Sequence, residues 1–458
     1  MKSPITEHLE RVLELTRPVE SGHVADYIDV LAQADDTKMA VALATVDGFV
    51  YSAGDDKVEF SMQSISKAFV YAMAIEDVGM ACVLEKVGVE PSGDAFNQLS
   101  LQRNTNRPMN PMINAGALAS HSLVCGTEAT EQQREERIIA TLSDLAGRRL
   151  SVDEAVFHAE LKDADRNMGL AYMLKAAGII TGDPRAIVRG YIRQCSVNVN
   201  VHDLAIMAAT LSNAGINPVT GKRVMPQETV RQVLSVMTTC GMYDAAGDWV
   251  SRVGIPAKSG VAGGIIGALP GQMGLAVFSP KLDGRGNSVR GVLMCEKLSS
   301  DMGLHMMDIR HVARATVHTR TVTIAGGAHA CEQKVPIFGL RGAVRFAGAE
   351  RLTRTVLREL SPADKDDPGS GRYAGACAVV FSFTETYSLH SVAQRVIQET
   401  IRHLFALSRN VVLIDPNHLL TLEEDLRDRP ITVVNDDEEA SLHIGGTGCH
   451  PVSYGEGL

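Results

Sequence analysis

Positive charge is in deficit along this chain of 458 residues. Its 44 lysines and arginines face 54 aspartates and glutamates, a formal net charge of −10 with the acidic residues spread out. Phosphate backbones call for a basic footprint, so the balance argues against a nucleic-acid partner. Paired cysteine spacing is missing as well. The eight cysteines are scattered with no Cys-x-x-Cys, as expected for reduced, mostly buried thiols rather than a disulfide framework. His443, Cys449 and His450 lie close together near the C-terminus, but their spacing fits no zinc pattern and no metal is expected. No apolar run approaches the ~20 residues that span a bilayer. The stretch MKSPITEHLERVLELT has no signal-peptide core, because Glu7, Glu10 and Glu14 interrupt it, and it reads as an amphipathic helix. These absences together predict a cytoplasmic protein that engages neither membrane nor metal.

What is present is ordinary for a soluble globular enzyme, with 45% apolar and 21% charged residues. The length predicts two or three domains with sufficient core to fold without staples. Residues 39–51 (MAVALATVDGFVY) and 55–60 suggest a β-hairpin turning at Asp47-Gly48. Ile65, Ala68, Phe69, Ala72 and Met73 then fall on one helical face, and several helices fill 129–215. Strand-like runs return at 274–279 and 288–295, joined by the turn cluster Asp283-Gly284-Arg285-Gly286-Asn287. Strands at both ends with helices between them predict an α+β architecture over 1–312, an antiparallel sheet packed with helices plus a helical subdomain. After about 320 the order is strand, amphipathic helix, a loop at 361–372, strand, helix, strand. That order predicts a small α/β domain over 322–440, with 441–458 as a flexible tail.

Chemistry enters at SMQSISKAF, residues 61–69, where Ser64 and Lys67 stand three apart near a helix start and share a face. A serine hydroxyl is a weak nucleophile until a base takes its proton. Lysine is that base only when desolvation or a nearby cation lowers its pKa. On its own the pair reads more readily as two polar residues on an ordinary helix. A second element is PAKSGVAGG at 256–264, containing Lys258-Ser259-Gly260. Serine β-lactamases and penicillin-binding proteins combine Ser-x-x-Lys with a later Lys-Thr/Ser-Gly strand that lines the site. For the third element of that superfamily there are two candidates, Ser196-Val197-Asn198 and Tyr243.

Longer stretches narrow the resemblance. VADYIDVLA (24–32), SMQSISKAF (61–69), VEPSGDAFNQL (89–99), NPMINAGAL (110–118), RNMGLAYML (166–174), YIRQCSV (191–197), NAGINPVTG (213–221), CGMYDAAGDWVSRVGIPAKSGVAGG (240–264) and GNSVRGV (286–292) closely resemble bacterial glutaminases. The resemblance implies a β-lactamase/transpeptidase-like fold and hydrolysis of L-glutamine to L-glutamate and ammonia without a cofactor. It assigns Ser64 as nucleophile, Lys67 as base and Tyr243 as proton shuttle, with the oxyanion hole from the backbone N–H groups of Ser64 and Val261. Substrate contacts fall on Tyr27, Ser64, Asn114, Glu160, Asn167, Tyr191, Tyr243 and Val261, and Lys258, Ser259 and Gly260 support them. Ala159 and Ala262 depart from the family pattern without removing a side chain from that set. The resemblance also implies a homo-oligomer, a dimer or tetramer.

The chemistry of glutamine agrees with those residue types. Its zwitterionic head needs an anion for the ammonium, which Glu160 can supply. Its carboxylate needs donors, which Asn114, Asn167, Tyr27 and Tyr191 can supply. GINPVTGK, residues 215–222, is set aside as a turn, because it is one residue too long for a phosphate loop and Arg223 stands where Ser/Thr is required. Residues 322–440 are similar in element pattern to STAS domains, the sulfate-transporter and anti-sigma-antagonist type. That likeness implies a role in oligomerisation or in regulation through a partner. Within TETYSLHS (384–391), Ser391 is the candidate regulatory serine, although a helix N-cap before VAQRV is the favoured reading. Two alternatives stay open: another β-lactamase-like amidase or esterase, and a catalytically degenerate scaffold serving the STAS-like domain.

Overall fold

The computed structural model describes residues 3–93, 98, 100–308, 316–324, 333–367 and 369–446. The chain divides into two compact units, residues 1–308 and 309–458. The first is built on an antiparallel sheet. Strands β1 (Ala40–Thr45), β2 (Val50–Gly54), β3 (Ala257–Ser259), β4 (Gly264–Leu269) and β5 (Met273–Phe278) lie in the order β2-β1-β5-β4-β3. The hairpin expected at Asp47-Gly48 forms, with Gly48 at φ 95°, a left-handed value that suits a residue without Cβ.

Alternation along these strands sorts two apolar layers. Val41, Leu43, Ile265, Leu275 and Val277 meet Leu9, Trp249 and Leu298 on one face. Ala40, Ala42, Ala44, Ile266 and Ala276 meet Phe69, Met73 and the Val201–Ser212 helix on the other. The second face is made of small residues because that helix lies close. A Cβ added at Gly274 would sit 2.2 Å from the Ala209 nitrogen.

Helix Ser66–Val78 differs from a one-faced stripe: every residue from Ser66 to Ile75 is buried. It runs through the interior between the sheet and the neighbouring helices, so Ser66 and Lys67 are enclosed along with the apolar residues. The strand expected at 55–60 is reduced to Phe60–Ser61, paired with Asn198–Val199. The strand expected at 288–295 is instead helix Val289–Met302. Ser288 starts it by accepting a hydrogen bond from the Gly291 amide at 3.1 Å, a cap that redirects a locally strand-like sequence into a helix.

The second unit holds strands β6 (Thr316–Ile324), β7 (Gln333–Val344), β8 (Ala378–Leu389), β9 (Asn410–Ile414) and β10 (Thr432–Val434), in the order β10-β9-β8-β7-β6. Only the β6–β7 pairing is antiparallel. The strand-helix-strand-helix-strand order is present from β7 to β9, with β6 and β10 added at the edges. Helices Phe346–Leu360 and Ser391–Ala406 pack their apolar residues on Phe338, Phe381 and Phe383. His390, one residue earlier than expected, caps the second helix, and Ser391 is its first helical residue. Residues 441–446, expected in the tail, belong to helix Asp437–Gly446, whose Ala440 and Ile444 are buried against Ile337, Val380 and Ile414. Cys449 and His450 lie outside the described residues, as do 94–97 and 99 of the VEPSGDAFNQL stretch. Among the described residues no helix is long and apolar enough to cross a membrane, and no cluster of side chains has a metal-ligating arrangement.

Candidate active site

Ser64 sits in a single 3-10 turn, Gln63–Ile65, that feeds directly into the Ser66–Val78 helix. Gln63 adopts φ 49°, a left-handed conformation that a side chain makes unfavourable and that must be held by its surroundings. The turn opens on a cavity of about 340 Å³. Tyr27, Ser64, Asn114, Glu160, Asn167, Tyr191 and Val261 all line it. These residues come from separate helices, loops and a strand connection, so tertiary folding alone brings them together.

Lys67 lies behind the cavity wall, one turn along the helix from Ser64 and 1% exposed. Its Nζ donates to Asn114 Oδ1 at 2.6 Å and to the Met112 carbonyl at 3.3 Å. Burial penalises the ammonium form and pulls the lysine down to about 8. Asn114 is the hub of this wall. Its Oδ1 also accepts from the Tyr191 hydroxyl at 3.3 Å, and its Nδ2 donates to Asn167 Oδ1 at 3.1 Å. Asn114 therefore does not cap its own helix; the carboxamide is spent on the site.

Tyr243 approaches Ser64 from another side. It too has a left-handed backbone, φ 56°. Its hydroxyl donates to the Ser259 carbonyl at 3.1 Å and shares a hydrogen bond with Ser64. Tyr243 does not line the Ser64 cavity; it forms part of an adjacent one with Met112, Thr239 and Val250. Lys258 is completely buried beneath it. Its Nζ donates to the Ser259 carbonyl at 2.7 Å and the Gly241 carbonyl at 3.0 Å, and stands 4.2 Å from the Tyr243 ring centroid. Burial first, then the charge of Lys67, push Lys258 well below the ordinary lysine range. Among the described residues the Ser259 hydroxyl is buried without a hydrogen-bond partner.

Glu160, like Asp163, brings a carboxyl group to the cavity. Burial raises its carboxyl to about 7, against the opposing hydrogen bond from Gln63 and the charge of Lys67. Gln63 Nε2 reaches Glu160 Oε2 at 3.4 Å and Ser61 Oγ at 3.2 Å. Tyr27 stands at the mouth, 56% exposed. Val261 belongs to the tight loop between β3 and β4, closed by the Gly260 amide on the Gly264 carbonyl at 2.9 Å. A Cβ at Gly260 would come within 2.8 Å of the Met62 carbonyl, so glycine is what lets this loop approach the Ser64 turn.

Sequence reasoning missed Ile28, Gln63, Asp163 and Arg166, which line the same cavity. For Asp163 and Arg166 a signal existed: they fall between Glu160 and Asn167 in sequence, where helix Glu154–Lys162 gives way to helix Asp165–Ala176. For Gln63 the decisive feature is a backbone angle that no residue pattern announces. Of the two candidates for the third superfamily element, Ser196 turns inward and donates to the Ile192 carbonyl at 2.9 Å, whereas Tyr243 meets Ser64.

The family-model match lies in the first unit, and two relatives extend over most of the chain. Residues 22–307 match the family model described as Glutaminase. A glutaminase of Corynebacterium glutamicum is 44% identical over 417 residues, covering 91% of this chain and 95% of its own. The crystal structure of Mglu in its tris and glutamate form superposes with a TM-score of 0.81 at 40% identity, covering 92% of this chain and all of that one. A probable glutaminase from Bacillus subtilis complexed with 6-diazo-5-oxo-L-norleucine gives a TM-score of 0.62 at 31% identity, covering 67% of this chain and 98% of its own.

Proposed function

This chain belongs to the glutaminase family, and from that premise we propose that it hydrolyses L-glutamine to L-glutamate and ammonia through an acyl-enzyme on Ser64. One observation carries the mechanism: a fully buried lysine, lowered to about 8, lies one helical turn from a serine that faces a cavity. At mildly alkaline pH that lysine is largely neutral and fit to accept a proton.

Glutamine enters with its ammonium on Glu160 and its carboxylate among Asn114, Asn167, Tyr27 and Tyr191. Ser64 Oγ attacks the side-chain carboxamide carbon while its proton passes to Lys67 by way of the Tyr243 hydroxyl. The oxyanion rests on the backbone N–H groups of Ser64 and Val261, an arrangement in which each donor contributes about 3 kcal/mol. The C–N bond breaks as the amine takes a proton, ammonia departs, and water hydrolyses the ester along the reverse proton path. Lys258 and Ser259 hold Tyr243 in place. No cofactor takes part.

Ammonia release from L-glutamine by wild type, Ser64→Ala and Lys67→Ala tests this scheme. Both variants are expected to be inactive with unchanged circular dichroism, and Ser64→Ala retaining near wild-type activity would sink it. Preference for nitrocefin over glutamine would favour the amidase or esterase reading. For the second unit, the α/β order supports a STAS-like domain that contributes to homo-oligomer assembly or binds a regulatory partner. A chain ended after residue 315 should then change in assembly or kinetics; if neither changes, that role falls.

A further inference from the structure

Ser66, His121 and Gln194 take no part in the proton path, yet all three are buried and join into one chain of hydrogen bonds. His121 Nδ1 lies 2.7 Å from Gln194 Oε1, and since that oxygen can only accept, the imidazole carries its proton on Nδ1. Gln194 Nε2 donates to Ser66 Oγ at 3.3 Å. Ser66 Oγ in turn donates to the Gln63 carbonyl at 2.8 Å. Burial holds His121 at about 4, so it stays neutral and the direction of the chain is fixed across the working range. The Nε2 edge of its ring abuts helix Pro184–Cys195 with no room to spare: a Cβ at Gly190 would stand 2.4 Å from Nε2.

The chain ends on the one residue of the Ser64 turn that has a left-handed backbone, Gln63 at φ 49°. Its side chain is tied separately, to Ser61 and to Glu160. A strained turn persists only where its surroundings determine it, and the orientation of the Gln63 carbonyl, which accepts from both the Ser66 amide and the Ser66 hydroxyl, goes with ψ at that residue and hence with the aim of Ser64.

We infer that His121, Gln194 and Ser66 form a positioning relay that fixes the Gln63 carbonyl and so aims the Ser64 hydroxyl, making Ser66 a working partner of the adjacent serine. The inference deepens the acyl-enzyme reading and rests on Ser64 being the nucleophile. The relay touches neither substrate nor reacting atoms, so its loss should appear in turnover and not in substrate affinity.

The test compares full-length wild type with Ser66→Ala, Gln194→Met and the double variant, measuring kcat and KM for L-glutamine alongside thermal melting. Each single variant should lower kcat by about tenfold or more with KM within about twofold, as misaimed nucleophiles do. The double variant should lose no more than the worse single one, because links in series fail together. The probe 6-diazo-5-oxo-L-norleucine gives a second readout: the rate of its covalent attachment, followed by intact mass, should fall by the same factor as kcat. The inference is overturned if Ser66→Ala and Gln194→Met keep kcat within about twofold of wild type, if their losses multiply in the double variant, or if KM rises in step. Ser64→Ala, run in parallel, separates the two claims. Inactivity there with full activity in Ser66→Ala removes the relay alone, and activity there removes the nucleophile assignment itself.

Discussion

In the first unit, Lys67, Lys258, His121 and Tyr191 are each at most 2% exposed, and Glu160 is raised to about 7 beside them. In the second unit the charged pairs lie at the surface: Arg341 with Glu385, Arg358 with Asp367, and Arg402 with Glu423 and Asp425. Its buried polar groups serve the backbone and their own neighbours. Asp415 accepts from the Leu419 and Leu420 amides, Gln398 accepts from the Glu423 amide at 2.7 Å, and Thr353 and Thr400 lie 2.7 Å apart. The contrast separates two uses of a buried polar atom. Where buried polar groups are satisfied by backbone and by close neighbours, they stabilise the interior. Where lysines and a carboxyl are enclosed around a cavity, desolvation moves their pKa values toward neutrality, the condition for proton transfer, while the same burial pushes Tyr191 and Tyr243 upward and keeps their hydroxyls protonated.

The sharpest way to break the contrast is Lys67→Ala. Removing the base should lower kcat for ammonia release by about 10³-fold or more, with glutamate formation as the second readout. A loss under tenfold would transfer the role of base elsewhere, with Lys258 the next buried lysine. Next in size is Glu160→Gln, which keeps the shape and removes the anion. KM for glutamine should rise by about 100-fold while kcat changes far less, because the ammonium loses its partner. Binding that is unaffected would move the ammonium site away from Glu160.

pH provides the third test, with the sign set by two groups that must both lose a proton. Lys67, lowered to about 8, is a base only when deprotonated, and Glu160, raised to about 7, binds an ammonium only when ionised. Activity as kcat/KM should therefore rise with pH through both values, and Glu160→Gln should leave only the limb near 8. A profile flat across that interval contradicts the assignment. The smallest effect on activity is expected from the second unit. Phe381→Ala, at a fully buried ring facing Phe338, should cost about 3–5 kcal/mol of that unit's stability. Deamidation measured below its melting transition should stay within about twofold of wild type, unless the second unit controls the first.

Legibility in the sequence followed the range of the interaction. Ser64 and Lys67 are three residues apart, and Lys258-Ser259-Gly260 is contiguous, so both motifs could be read locally. The β1–β2 hairpin was equally local, since Asp47-Gly48 sets its own turn. Tyr27, Asn114, Glu160, Asn167, Tyr191 and Val261 were assigned by resemblance, and their convergence on one cavity depends on contacts across the whole first unit. Errors arose where a local pattern had two solutions. The run from 288 to 295 alternates well enough for a strand, but Ser288 caps a helix there. Residues 441–446 look like a solvated tail, yet Ala440 and Ile444 find an apolar face on the second sheet.

Residue type and spacing alone brought out the Ser64 and Lys67 spacing, the Lys258-Ser259-Gly260 triplet and the change of architecture near residue 320. Which of those polar groups would be kept from water was decided only by the tertiary structure. Lysine has an ordinary pKa on any exposed helix. It falls to about 8 at position 67 because the surrounding sheet and helices enclose the side chain completely. The aim of Ser64 is likewise settled at long range, by a left-handed Gln63 whose carbonyl bonds to Ser66 and whose side chain reaches Glu160, 97 residues further along the chain.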